Sequence, residues 1–126
     1  MKGFRLGCIA FAAGGLALTG CARQNEMTVT ATAYNSTRAQ TDSKPHLAAW
    51  GDRIEPGMQI IAVSPDLVKA GLDRGTEVRI EGLEGKWRVL DRTASRHRNR
   101  IDIYMGKDIA AARDWGIKEV TIRWRE

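Results

Sequence analysis

The sequence predicts a small, mainly β domain that closes into a barrel. Three features carry that expectation. Several short stretches alternate apolar and polar residues with a period of two, the signature of a half-buried strand. Clusters of Gly, Asn, Asp, Ser and Pro separate them, and only two short stretches read as helix. About six strands hide their edges best by closing on themselves.

The elements follow in order. In residues 27–34, Thr28, Thr30, Thr32 and Tyr34 alternate with Val29, Ala31 and Ala33, which makes a strand. Residues 35–57 are rich in turn formers and read as a long loop of the kind that carries function. Residues 58–63 are apolar except for Gln59 and form a buried strand. Ser64-Pro65-Asp66 then opens a short helix: Ser64 as cap, Pro65 at the first helical position, Asp66 at the positive end of the dipole. Gly71 ends it. Residues 76–81 are a strand with Val78 and Ile80 on one face. After the turn 81–85, residues 86–91 form a strand in which Trp87, Val89 and Asp91 are expected to share a face. In residues 100–104, Ile101 and Ile103 share a face, so Asp102 and Tyr104 point the other way. Residues 107–115 are a helix with Ile109, Ala112 and Trp115 towards one side, stopped by Gly116. A last strand alternates Val120, Ile122 and Trp124 with polar residues.

The first twenty residues stand outside this pattern. Lys2 and Arg5 precede a mostly apolar run from 6 to 18, too short to span a membrane. The run ends in Leu18-Thr19-Gly20-Cys21, which resembles a bacterial lipobox. That resemblance implies a lipoprotein signal peptide over residues 1–20 and acylation of Cys21. It also implies a tether over 21–26, a domain over 27–126, and a lipid anchor in the envelope. Ala22, in place of Asp, favours the outer membrane, facing the periplasm. The other cysteine, Cys8, lies in the discarded segment, so the mature domain has no thiol for a disulfide, a nucleophile or a zinc site. The formal charge is +5, or about +3 without Lys2 and Arg5. This mild excess suits an anionic partner or simply a soluble surface. Export argues against nucleic acid.

The ordered set Ala31-Thr32-Ala33-Tyr34, Ile61-Ala62-Val63-Ser64, Gly75-Thr76-Glu77-Val78-Arg79-Ile80, Val89-Leu90-Asp91 and Arg100-Ile101-Asp102-Ile103-Tyr104, followed by Trp115-Gly116, resembles the 3D (Asp-Asp-Asp) domain. That domain is similar to the C-terminal domain of membrane-bound lytic transglycosylases and to rare-lipoprotein-type barrels. The resemblance implies a six-stranded double-psi β-barrel and a peptidoglycan substrate. It further implies non-hydrolytic cleavage of the MurNAc-GlcNAc β-1,4 bond with a 1,6-anhydro product. On that alignment the general acid/base falls on Asp102 and the family's middle aspartate on Asp91, eleven positions earlier. Its first aspartate falls on Ser64, with Asp66 two positions on. Where muralytic members carry a Gly-rich stretch, this chain has four arginines and a histidine over 92–100.

An acid inside a strand costs free energy unless it is solvated, paired or hydrogen-bonded. Asp91 and Asp102 each present that problem, and a carboxylate-lined cleft is one solution. One carboxyl can protonate a glycosidic oxygen and then accept the proton of the sugar's own 6-hydroxyl, so no water is consumed. A neighbouring carboxylate or burial would raise its pKa; Arg92 or Arg100 would lower it. Tyr34, Asn35, Thr41 and Asp42 in the long loop, Trp50 as a stacking platform, and Arg100 for anionic muropeptide groups are the substrate-binding candidates; all also read as ordinary turn or surface residues. His46 and His97 lack metal-ligand spacing, so neither metal nor cofactor is expected. Three functions stay open: a lytic transglycosylase, a non-catalytic peptidoglycan-binding or structural lipoprotein on the same barrel, and an adaptor for a small molecule or a protein partner.

Overall fold

The computed structural model describes residues 24–36 and 47–125. Its strands are β1 (Gln24–Tyr34), β2 (Ile60–Val63), β3 (Glu77–Ile80), β4 (Trp87–Arg92), β5 (Arg100–Tyr104) and β6 (Lys118–Arg125). Its helices are α1 (Pro65–Lys69) and α2 (Ile109–Trp115). The six strands close in the order β1-β5-β2-β4-β3-β6, and β6 pairs back on β1. β1–β5 and β2–β4 are parallel; the other pairs are antiparallel. This is the mainly β, closed, mixed barrel the sequence predicts, consistent with a double-psi arrangement.

Alternation decides what fills it. Val29 and Ala31 of β1, Ile61 and Val63 of β2, Ile101 and Ile103 of β5 and Ile122 of β6 are fully buried inside the barrel. Burying each such side chain contributes about 1.5–3 kcal/mol, except Ala31, which is smaller. A second apolar cluster lies on the outer face. There Ala48 and Ile54 of the 47–58 segment cover Ile60, Leu90 and Tyr104, with Tyr34 and Met58 packed alongside. The long loop therefore carries its own small core and binds the barrel wall.

Four local expectations are corrected. β1 starts at Gln24 because Gln24, Asn25 and Glu26 pair with Arg125, Trp124 and Arg123 at the end of β6. Ser64 precedes α1, but its side chain does not cap it; Ser64 Oγ accepts the Arg100 amide at 3.0 Å. α2 starts later than predicted, capped by Asp108, whose side chain accepts from the Ala111 amide at 2.9 Å. Trp115 packs on the barrel core, and Ile109 stays 45% exposed.

The fourth correction matters most for function. Asp91 does not continue the face of Trp87 and Val89. The β2–β4 register shifts between Ile61 and Ala62, so Val89 lies opposite Ile61 but Asp91 lies opposite Ala62, with Leu90 as the extra residue. A bulge re-aims the side chains beyond it. Val89 fills the barrel, Leu90 joins the outer cluster, and Asp91 emerges on the outer wall.

Candidate functional site

The outer wall assembles four residues from four strands. Asp102 is flanked by inward-facing Ile101 and Ile103, so it points outward. In register, Thr32 of β1 lies on one side of it and Ala62 of β2 on the other. Asp91 of β4 lies across Ala62 from Asp102. Residues directly opposite on paired strands share a face, so Thr32, Asp102, Ala62 and Asp91 form one row. Two strand spacings place the Asp91 and Asp102 backbones about 9–10 Å apart. The methyl of Ala62 is the only side chain between them in the row.

Asp102 is held by two donors. The Thr32 hydroxyl donates to Asp102 Oδ1. Arg100, two residues back on the same face, donates from Nε to that oxygen at 3.4 Å and from Nη2 to Thr32 Oγ1 at 3.2 Å. The Asp102 side chain is nevertheless 21% exposed, so a ligand on the wall can reach it.

Asp91 differs. Its Oδ1 accepts the Ala49 amide at 2.8 Å and the Arg92 amide at 2.9 Å. Burial pushes its carboxyl above the ordinary carboxylate range; the two amides and the Arg92 charge oppose this, and the Asp102 charge adds to it. The two acids therefore sense each other electrostatically. Tyr34 senses both: burial first, then Asp91, Asp102 and Tyr104, hold its hydroxyl protonated far above the usual phenol range. Its Oη is buried and has no hydrogen-bond partner among the described residues. Its ring packs on Tyr104 with centroids 5.4 Å apart, and Tyr104 Oη bonds Ser36 Oγ at 2.8 Å.

The 47–58 segment walls the row beside Asp91. It is fixed by the Ala49 amide on Asp91 and by a two-point ion pair of Asp52 with Arg74 at 2.6 and 2.8 Å. Trp50 is half-buried against the barrel core, and the Arg92 guanidinium lies 5.0 Å from its ring centroid. Arg92 thus occupies the stacking position that a sugar would need. Asn35 is not a cleft residue. It is fully buried and donates from Nδ2 to the carbonyls of Gly106 and Asp108, each at 3.1 Å. Thr41, Asp42, His46 and Cys21 lie outside the described residues.

Ser64 and Asp66 fasten the neighbouring loop. Besides its bond to the Arg100 amide, Ser64 lies hydrogen-bonded to Asp66, and Asp66 accepts the Asn99 amide at 3.0 Å. Burial disfavours the Asp66 charge, but Ser64, the Asn99 and Asp66 amides and Arg98 outweigh it and hold its carboxyl below the ordinary value. Asn99 adopts φ 52°, a conformation Asn tolerates better than most residues. Arg98 donates to the carbonyls of Ser95 and His97, both at 3.0 Å. The arginine-rich loop is thus a folded clamp: Arg98 closes it, Arg92 covers Trp50 and Arg100 engages Asp102.

Reading the sequence identified Asp91, Asp102, Tyr34, Trp50 and Arg100, and the fold brings all five to one side of the barrel. It missed Thr32 and Ala62. Thr32 looks like any strand threonine; its 6% exposure comes from packing against residues some seventy positions away. Ala62, the one small residue among Ile60, Ile61 and Val63, was the available signal.

No protein-family model matches the sequence, and no curated protein does. Among solved structures, the chain is similar to the apo expansin of Clavibacter michiganensis, with 17% identity and a TM-score of 0.52 over 78% of this chain and 49% of that one. It therefore spans about half of the expansin's length. It is also similar to the Streptomyces papain inhibitor, with 22% identity and a TM-score of 0.52 over 81% of this chain and 96% of that one. Likeness at such identities establishes the barrel architecture.

Proposed function

We propose that this protein is a lipid-anchored envelope barrel that binds peptidoglycan glycan strands along the Asp91–Asp102 row. We propose further that it acts there as a lytic transglycosylase. The observation that supports this is the placement of two carboxyls on one outer face, either side of Ala62. Their surroundings divide the work. Asp91, whose pKa burial raises, is the proton donor to the glycosidic oxygen. As the C–O bond breaks, Asp102, held by Arg100 and Thr32, offsets the positive charge at the anomeric carbon. The sugar's 6-hydroxyl then attacks that carbon, and its proton passes to the Asp91 carboxylate. The bond broken and the bond formed balance without water, which gives the 1,6-anhydro end. The family resemblance assigns the acid/base role to Asp102; the cation and hydroxyl on Asp102 favour giving it to Asp91 instead.

One observation favours the non-catalytic reading: Arg100 engages Asp102 and Arg92 covers Trp50, so both positions already have protein partners. The same experiment separates the two. Purified protein is incubated with sacculi, and the supernatant is analysed for anhydro-muropeptides by mass spectrometry while the pellet is assayed for bound protein. Anhydro products that vanish in Asp91→Asn and Asp102→Asn, with pelleting retained, support cleavage. Pelleting without product identifies a binding module. Failure to pellet at low salt refutes both. The mass of Cys21 separately tests the anchor.

A further inference from the structure

A cleft of about 680 Å³ lies across the barrel from the acid row. In the closed strand order, β3 faces β5 and β6 faces β2. The cleft is formed by the first residues of β3, the last of β6 and the start of β1. Four cations line it, Arg79, Lys86, Arg123 and Arg125, against a single carboxylate, Glu77. Glu77 is shared by Lys86 at 3.7 Å and by Arg88 at 3.8 Å. Arg123 reaches Glu26 at 3.6 Å. Arg79 and Arg125 have no ion-pair partner among the described residues. Arg79 lies directly opposite Arg123 on the paired strand, and Arg123 has Glu26 on its other side. Trp124, 95% buried, also lines the cleft, and its indole N–H has no acceptor among the described residues. Two outward-facing cations without counter-ions, Arg79 and Arg125, describe a site for an anion on this wall; Trp124 lies behind it, its ring in the barrel core with Nε1 near Gly71.

Gln24 is part of the same cleft wall. Cys21 precedes it by three residues, a stretch that spans at most about 10 Å. We infer, resting on the lipid-anchor reading above, that this cleft binds the phosphodiester headgroup of an anionic phospholipid beside the anchor. Arg79 and Arg125 grip the phosphate oxygens. Seating that end of the barrel on the membrane turns the Asp91–Asp102 row away from it, towards the cell wall. Anchor and cleft together give the two signals that stable, oriented membrane attachment needs.

The test uses the full chain in neutral-detergent micelles, ¹⁵N-labelled, with the Trp124 indole resonance followed during titration. The probes are glycerophosphoglycerol, glycerophosphocholine, inorganic phosphate and a peptidoglycan stem peptide. A saturable indole shift with glycerophosphoglycerol that exceeds the shift with glycerophosphocholine is expected. It should weaken with added salt, since screening shortens to about 8 Å at physiological strength. Arg79→Gln and Arg125→Gln should each weaken it about tenfold, the size of one charge-assisted contact; both residues are exposed, so the barrel should survive. Arg79→Lys with Arg125→Lys should restore most of it. No indole response, a response only to inorganic phosphate or the stem peptide, or an unchanged affinity in the glutamine variants overturns the assignment. An unacylated Cys21 with an intact indole response removes the anchor and leaves the headgroup site standing.

Discussion

Asn35→Ala tests whether the end of β1 is locked to the turn after β5, the joint that positions Tyr34 and Tyr104 beside the acids. Asn35 is fully buried and gives two 3.1 Å bonds to the carbonyls of Gly106 and Asp108. Neither carbonyl is orphaned by the substitution. Gly106 keeps the Ser36 amide at 3.0 Å, and Asp108 keeps the Ala112 amide at 3.2 Å. The cost is therefore two net hydrogen bonds at about 1 kcal/mol each, plus a small void, about 2–3 kcal/mol in all. For a domain of this size that lowers Tm by about 10–20 °C. Urea unfolding followed by tryptophan fluorescence measures it. A companion variant, Asn35→Asp, keeps the volume but turns donors into acceptors facing carbonyls. Its carboxyl should hold its proton more tightly when folded than when unfolded. Its stability should then be greatest at low pH and fall as pH rises through the folded pKa. A loss below about 1 kcal/mol for the alanine variant, or no pH dependence for the aspartate variant beyond that of the wild type, would refute the joint.

Four further outcomes are expected. The raised carboxyl of Asp91 binds its proton more tightly in the folded state, so its contribution is full below the unfolded value near 3.9 and is lost as pH rises through the folded pKa. Asp91→Asn should therefore flatten the decline of stability above pH ~4, as read from chemical unfolding across pH. Asp66 has the opposite sign: its lowered carboxyl contributes stability above the unfolded value that is lost as pH falls through the folded one, so Asp66→Asn should flatten the acid limb instead. Ala62→Leu should fill the gap in the acid row, cost about 1–3 kcal/mol by overpacking and abolish sacculus pelleting while circular dichroism still reports the barrel. Gly116→Ala should cost about 1–3 kcal/mol in thermal melts, because φ 67° and ψ −140° strain any residue with a Cβ, although the space there is open.

Some of the site was written locally. Asp102 lies between Ile101 and Ile103, and that alternation alone sends its carboxyl outward. Arg100 follows by the same period. Asp91 was recognisable as an acid in a strand, but its direction was not. Alternation places it with Trp87 and Val89, and only pairing with β2 introduces the bulge that reverses it. Ser64 reads as a helix cap because Pro65 and Asp66 follow, yet its hydroxyl is claimed by an amide thirty-six residues away. A hydrogen bond of that range leaves no mark on spacing.

The amino-acid order alone determined that this chain makes short alternating strands, that so few of them must close, and that Asp102 leaves the core. It also supplied the lipobox-like segment. Tertiary structure decided that Thr32, Asp102, Ala62 and Asp91 stand in one row, that Arg92 covers Trp50, and that a basic cleft opens on the far wall. The reason is physical. Period and turn chemistry act over a few residues, whereas a row across four strands depends on pairing register, which is fixed only when the whole barrel closes.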